Sequence, residues 1–253
     1  MTYGKTRYAC KITVETPKIS KKSITIKQGQ TYRLKMKGTK QKFLWRAADS
    51  NASVDSKGKV TGKYTGTTYI SARNLYGEEY KCKVTVKSVV DPNAPGGRNN
   101  PVSARSGTEF SVKKYDGVRK YGLKLLECKD GGEADSIVQS ENRFNEKPSG
   151  NERWVLYHFE MRYISGDGES TGADLVNVYD LFNENGSISM SGRARAVLGK
   201  NLMQSHSCRL YSGGTGDFWF GVLLPENVKY TTLRVQCGSD KYGNRLERWI
   251  RLD

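Results

Sequence analysis

The sequence lacks a long apolar run, has only two histidines and contains an odd number of cysteines, five. No stretch approaches the roughly 18 apolar residues that a membrane-spanning helix needs. The opening segment, MTYGKTRYACKITV, has no apolar core of the kind found in signal peptides. The cysteines form neither a CxxC pair nor a zinc-type cluster with histidine. These absences argue against a transmembrane segment, a disulfide scaffold, a metal site and a bound cofactor.

The composition is that of folded domains rather than of a disordered chain. A length of 253 residues is enough for two domains, each with its own core. The mean hydropathy of −0.68 is low. However, 15 Tyr, 7 Phe and 4 Trp supply the large side chains that disordered segments lack.

The basic charge is confined to the first third of the chain. The net charge is +16, and residues 1–90 hold 20 Lys and Arg against 5 Asp and Glu. Residues 91–253 hold 22 against 21, which is nearly neutral. A domain with the first balance attracts polyanions, and that attraction weakens with salt.

A short repeat defines the organisation of this basic region. Residues 8–14 (YACKITV) recur as residues 80–86 (YKCKVTV), with five of seven positions identical. Apolar and polar residues alternate in both copies, as in a half-buried strand. Glycines and alternating segments between the copies predict several short strands joined by tight turns. We therefore expect residues 1–14 to be the last strand of a preceding module and residues 15–88 to form a complete one.

Residues 15–88 resemble the bacterial Ig-like group 2 domains. The motifs that carry the resemblance are residues 19–32 (ISKKSITIKQGQTY), Trp45, residues 54–61, residues 66–72 (GTTYISA) and residues 80–86. Residues 46–49 (RAAD) depart from the family, which usually has a serine-rich run there. The resemblance implies a surface or secreted protein in which such domains serve as spacers or in adhesion, and it implies no chemistry.

Residues 89–107, rich in Pro, Gly and Asn, predict a linker, and residues 108–253 predict a second module made of strands. Only residues 194–202 could be argued as helical. The second module resembles a telokin-like, Ig-type family of unknown function found in Gram-positive lipoproteins. Its motifs are residues 150–157 (GNERWVLY), 178–180 (VYD), 183–186 (NENG), 212–214 (SGG) and 221–226 (GVLLPE). The expected fold class is all-β, with two Ig-like β-sandwich domains in tandem.

No catalytic group is predicted. His206 and Cys208 are two positions apart on an extended segment and lack the geometry of a base and its nucleophile. The adjacent Glu78 and Glu79 are expected to be solvated charges of a turn. Cys82 and the equivalent Cys10 are expected to be buried as small apolar residues. Pairing of Cys208 with Cys237 stays open.

Seven lysines are the candidate contact residues for a polyanion. One interpretation is that they grip a cell-wall anionic polymer or a glycan; the other is that lysines on strands block edge-to-edge aggregation. Nucleic acid is not expected, because no stacking aromatics or groove-reading motif accompany the charge. The seven are Lys21, Lys22, Lys27, Lys35, Lys37, Lys40 and Lys42.

The sequence thus predicts a non-catalytic structural or adhesion segment at the bacterial surface or outside the cell. In this hypothesis the basic module is a spacer or polymer contact, and the second module is a binding head for a glycan or a surface protein. The alternative is a carbohydrate-binding module that uses exposed Trp or Tyr rings as stacking platforms; Trp219 or Trp249 on the surface beside another aromatic ring would favour it. An enzyme would need a cleft with convergent polar groups, and the sequence indicates none.

Overall fold

The structure, a computed structural model, describes residues 10–12, 14–187, 194–229 and 231–253. The chain divides into two compact units, Met1–Val89 and Val90–Asp253. Strands dominate both units, which confirms the predicted all-β fold class.

The described residues of the first unit form nine short strands in three sheets. One sheet has four strands in the order β2-β9-β8-β5, with β2 parallel to β9 and the other pairs antiparallel. A second has the order β3-β7-β6, and β1 pairs with β4. The strands are β1 (Lys18–Ile19), β2 (Ser23–Lys27), β3 (Thr31–Arg33), β4 (Met36–Lys37), β5 (Leu44–Ala47), β6 (Ala52–Val54), β7 (Lys59–Gly62), β8 (Gly66–Arg73) and β9 (Glu79–Lys87).

The alternating pattern of β9 shows how the core of this unit forms. Cys82, Val84 and Val86 are buried, while the odd-numbered positions of the strand face outwards or are half-buried. Ile70 from β8 and Ile26 from β2 join the same cluster. The buried Cys82 acts as a small apolar residue, and burial raises the pKa of its thiol to about 11.

The β6–β7 turn depends on a glycine. Gly58 has a φ of +76°, and a side chain there would place its Cβ 2.6 Å from the carbonyl oxygen of Leu34. Asp55 closes the turn by accepting hydrogen bonds from the backbone N–H groups of Lys57 and Lys59, both at 2.8 Å. The turn therefore needs both a left-handed residue and a short acceptor side chain.

Most of the expected strand at residues 1–14 lies outside the described residues, since only 10–12 and 14 are described. These four form no strand, and Cys10, Ile12 and Val14 are exposed. Cys10 was expected to be buried, but it is exposed, because none of the described strands pairs with the segment that contains it.

The second unit is built on two four-stranded sheets. Their orders are β11-β12-β13-β17 and β10-β19-β18-β15, and β14 pairs with β16. Aromatic residues such as Tyr121, Tyr163 and Phe218 fill the core together with Leu233 and Ile250. The strands are β10 (Val102–Ser103), β11 (Thr108–Lys114), β12 (Gly117–Asp130), β13 (Glu152–Ser165), β14 (Ser170–Thr171), β15 (Leu181–Asn183), β16 (Arg209–Leu210), β17 (Thr215–Pro225), β18 (Thr231–Ser239) and β19 (Arg245–Leu252).

A helix that the sequence analysis missed follows β12. Helix α1 (Gly131–Glu141) buries Ala134, Val138 and Glu141, which have the i, i+4, i+7 spacing of one helical face. Residues 194–202, the only segment considered helical, contain no helix. Together with residues 203–204 they form an extended cover segment whose backbone bonds to β17, with Ala196 N–H donating to Gly221.

The segment expected to be a linker, residues 89–107, is largely folded onto the second unit. Val102–Ser103 pairs with β19, and the backbone N–H of Trp249 donates to the carbonyl of Gly96 at 2.9 Å. Arg248 donates to the carbonyl of Pro95 at 2.9 Å. The Pro and Gly residues of this segment therefore form turns against a sheet and do not provide a flexible linker.

Candidate functional site

One face of the four-stranded sheet in the first unit points away from the core. Side chains alternate along each strand, so odd-numbered residues of β2, β8 and β9 and even-numbered residues of β5 share this face. We call it the outer face. Its members are Ser23, Thr25, Lys27, Leu44, Arg46, Thr67, Tyr69, Ser71, Arg73, Glu79, Lys81, Lys83, Thr85 and Lys87.

The cations of the outer face lie in adjoining rows across the strands. Lys81 and Arg46 flank Ser71 in one row, and Lys83 lies opposite Tyr69 in the next. At one end Lys27 and Lys87 are direct neighbours in the parallel pair β2–β9. Neighbouring strands are about 4.8 Å apart, and like charges placed directly opposite destabilise a sheet.

Only one carboxylate belongs to the outer face. Glu79 forms an ion pair with Lys81 at 3.0 Å. The hydrogen bond from Lys81, assisted by one from Ser71, outweighs desolvation and lowers the pKa of Glu79. Arg46 and the remaining lysines of the face have no ion-pair or side-chain hydrogen-bond partner among the described residues. The face therefore keeps several uncompensated positive charges.

A groove of about 410 Å³ opens on this face between β5, β8 and β9. Its lining combines an aromatic ring, a hydroxyl, two cations, a carboxylate and two alanines. They are Arg46, Ala47, Ala48, Tyr69, Ser71, Glu79 and Lys81. The volume falls in the range of roughly 300–1,000 Å³ that is typical of small-molecule sites.

The seven lysines predicted from the sequence are all exposed, but the structure does not gather them on one face. Lys27 alone lies on the outer face. Lys37 is on β4 opposite Lys18, and Lys35 precedes that strand. Lys21 and Lys22 precede β2, where the carbonyl of Lys22 accepts from the N–H of Lys83; Lys40 and Lys42 precede β5.

Sequence reasoning missed the cations of β9. Lys81, Lys83 and Lys87 all occupy odd positions of one strand, and this pattern is visible in the segment KCKVTVK. Their shared face could therefore have been predicted from period-2 alternation alone. The position of Arg46 beside Tyr69 could not be predicted in this way, because it depends on the pairing of β5 with β8.

Neither tryptophan proposed as a sugar platform is on the surface. Trp219 is 8% exposed and stacks on His158, with ring centroids 4.4 Å apart. Trp249 is 3% exposed and lies between Phe182, at 4.8 Å, and the guanidinium of Arg98, at 5.7 Å. The observation that would have favoured a carbohydrate-binding module through these residues is therefore not found.

His206 and Cys208, the residues weighed as a base and a nucleophile, have separate surroundings in the structure. Nδ1 of His206 lies 3.3 Å from the Arg195 guanidinium. Cys208 is buried, and desolvation raises the pKa of its thiol. All five cysteines are free thiols, so Cys208 and Cys237 are not paired in the structure.

The described ranges contain no group of three or more His, Cys, Asp or Glu side chains arranged to hold a metal ion. No helix in the described part of the chain has the length and apolar character needed to cross a membrane.

Two solved structures are distant likenesses of this chain. Cadherin domains 1–4 of protocadherin gamma B7 are 13% identical with a TM-score of 0.27; the alignment covers 94% of this chain and 49% of that one. A Bacteroides ovatus glucan-utilisation protein, SGBP-B, solved with a mixed-linkage heptasaccharide, is 9% identical with a TM-score of 0.21. That alignment covers 91% of this chain and 66% of the other. This chain spans about half the length of the protocadherin chain, and neither likeness supports a conclusion about function.

Sequence comparison bears on the basic region of the chain. No curated protein matches the chain. The predicted resemblance of the basic region is nevertheless confirmed: residues 13–89 match the family model of the bacterial Ig-like domain (group 2).

Proposed function

We propose that this chain is a non-catalytic segment of a bacterial surface or secreted protein, and that its first unit binds anionic polymers through the outer face. An Ig-like domain of group 2 supports the extracellular part of this proposal, because the resemblance implies spacer and adhesion roles. The polymer would be an anionic component of a cell wall or an acidic glycan. Nucleic acid is not the proposed partner.

The lysines of β9 are the observation that carries the proposal. Lysines on edge strands protect a sheet against edge-to-edge aggregation. This role is enough to explain Lys27, because β2 is an edge strand. Strand β9 pairs with β8 on one side and, over residues 83–87, with β2 on the other, so this part of the strand is interior. Protection of an edge does not explain Lys83 and Lys87 there. A ligand with negative charges would offset the repulsion among them.

The second unit is proposed to be a telokin-like, Ig-type module that presents a binding head. Its Trp219 and Trp249 are packed against internal partners, as in the stack of His158 on Trp219. We therefore place polymer binding in the first unit. The carbohydrate-binding alternative keeps support only through exposed tyrosines, of which Tyr69 lies on the outer face.

Salt-dependent binding to linear polyphosphate tests the proposal. The full chain should bind this ring-free polyanion with an affinity that falls steeply as salt rises, since binding releases counterions. Replacing Lys83 and Lys87 with Gln should reduce the slope of log affinity against log salt by about 2, one for each lost contact. Affinity would be measured by calorimetry at several salt concentrations.

Two charge-matched variants serve as controls. Lys147→Gln with Lys229→Gln removes the same charge from the second unit, where both lysines are exposed. Lys35→Gln with Lys37→Gln tests the lysines predicted from sequence, which lie off the outer face. Equal effects of all three variants would show that only net charge matters and would refute an outer-face site.

A further inference from the structure

We propose that the groove on the outer face holds one hexuronic acid unit, a pyranose with a single carboxylate, of an acidic glycan. This inference rests on the proposed function and names its ligand. Three features carry it: the shape of the groove, an unpaired guanidinium with an aromatic ring, and the carboxylate of Glu79.

The shape of the groove follows from the sizes of neighbouring side chains. In the central row, the short Ser71 lies between Arg46 on one strand and Lys81 on the other. Ala47, the last residue of β5, and Ala48, which follows it, have short side chains and add no bulk there. With strands about 4.8 Å apart, the two cations start from backbones about 10 Å apart. This spacing leaves room for a single pyranose ring between them, above the serine.

Arg46 provides the anion contact. Its guanidinium has no hydrogen-bond or ion-pair partner among the described residues, although it lines the groove. The planar fork of arginine matches a carboxylate with two parallel hydrogen bonds. A carboxylate on a sugar ring would therefore be held in one orientation and not merely attracted.

Tyr69 provides an apolar surface beside the anion contact. It is 48% exposed although it lies on an interior strand, and the backbone N–H of Ala48 donates to its carbonyl at 2.9 Å. This bond fixes the backbone beneath the ring. The face of a tyrosine ring removes the C–H face of a pyranose from water, while the hydroxyl stays in solvent.

Glu79 distinguishes a uronic acid from a more highly charged ligand. Lys81 and Ser71 hold this carboxylate at the groove, so it accepts hydrogen bonds from sugar hydroxyls. The same charge repels a second anionic group on the ring. The groove therefore favours a ring that carries several hydroxyls and one carboxylate over a polysulfated or phosphorylated one.

Calorimetry with a tetramer of galacturonic acid tests the groove in the full chain. The tetramer should bind, and a neutral tetramer of galactose should bind at least tenfold more weakly, because it lacks the charge-assisted bonds. Tyr69→Ala should lower affinity for the galacturonate tetramer about three- to tenfold. Tyr69→Phe, which keeps the aromatic ring, should bind the tetramer as the wild type does. Arg46→Gln should lower the affinity about tenfold or more.

Matched controls are available in the same unit. Tyr64 is an exposed tyrosine outside the groove, and Arg33 is an exposed arginine on β3 in the other sheet. Tyr64→Ala and Arg33→Gln should leave affinity for the tetramer unchanged. Polyphosphate separates the two proposals, because it has charge but no ring, so Tyr69→Ala should not change its binding.

The outcomes distinguish failure of the groove from failure of the polyanion function. If polyphosphate binding depends on Lys83 and Lys87 but Tyr69→Ala does not change affinity for the tetramer, the groove proposal is refuted and the polyanion function stands. Equal affinity for the neutral and acidic tetramers also overturns the groove. If the tetramer requires Tyr69 and Arg46 but polyphosphate does not bind, the groove stands and the general polyanion function is wrong.

Discussion

Glu141 joins helix α1 to the cover segment of the second unit, and its replacement should loosen that connection. The side chain is 8% exposed, and its carboxylate accepts backbone hydrogen bonds from residues 199–202 at 2.9 to 3.2 Å. In Glu141→Gln one oxygen becomes an NH₂ group that faces backbone N–H donors. Loss of these charge-assisted bonds should cost about 2–4 kcal/mol of unfolding free energy at neutral pH.

The pH dependence follows from the direction of the pKa shift. Burial of Glu141 raises its pKa, but the backbone hydrogen bonds outweigh burial and lower the value from 4.5 to about 2. A depressed folded-state pKa contributes stability that is fully present above the unfolded value and is lost as pH falls towards the folded one. The contribution is on the order of 3 kcal/mol, lost between about pH 5 and pH 2. The stability gap between wild type and Glu141→Gln should therefore shrink across that range.

Two measurements check this prediction. Urea unfolding followed by tryptophan fluorescence gives the free energy, and hydrogen exchange of residues 194–204 reports local opening. Glu146→Gln is the control, because Glu146 is exposed and its side chain has no partner among the described residues. A gap below about 1 kcal/mol at pH 7, or a gap that does not change between pH 5 and pH 2.5, would refute the reasoning.

Two further predictions concern a turn and the thiols. Gly58→Ala should destabilise the first unit by about 1 kcal/mol or more beyond Gly77→Ala in thermal unfolding. Both glycines have positive φ, but only at Gly58 does the added Cβ meet other atoms; equal losses would contradict this account. Labelling with a thiol reagent at pH 8 should modify Cys10 at once. Cys82 and Cys237 should react only after unfolding, because burial raises both thiol pKa values to about 11; rapid labelling of either would contradict their burial.

Local pattern was sufficient for the architecture of the first unit and insufficient for its site. The alternation in residues 80–86 predicted a strand with Cys82 inside, and the structure agrees. Seven lysines were grouped because they are close in sequence, yet Lys27 alone lies on the outer face. Proximity along the chain misled here because, from β1 to β5, each strand belongs to a different sheet from the next.

Long-range pairing also explains the errors in the second unit. Trp249 was named as a ring that could lie on the surface, but Phe182 and the guanidinium of Arg98, both distant in sequence, pack against it. Helix α1 was missed because only Ala134, Val138 and a glutamate mark its buried face. The partners of Glu141 lie about 60 residues further along the chain, so no local pattern indicates that this charge is buried.

The sequence by itself determined the fold class, the resemblance of residues 15–88 to bacterial Ig-like domains, which the match at residues 13–89 supports, and the placement of the basic charge in the first third of the chain. These follow from period-2 alternation, turn residues and composition, which are local properties. Only the tertiary structure decided which charges share a surface and which strand is interior. The face on which a side chain lies depends on its own strand, but its neighbours depend on register between strands far apart in sequence, as in the pairing of β2 with β9.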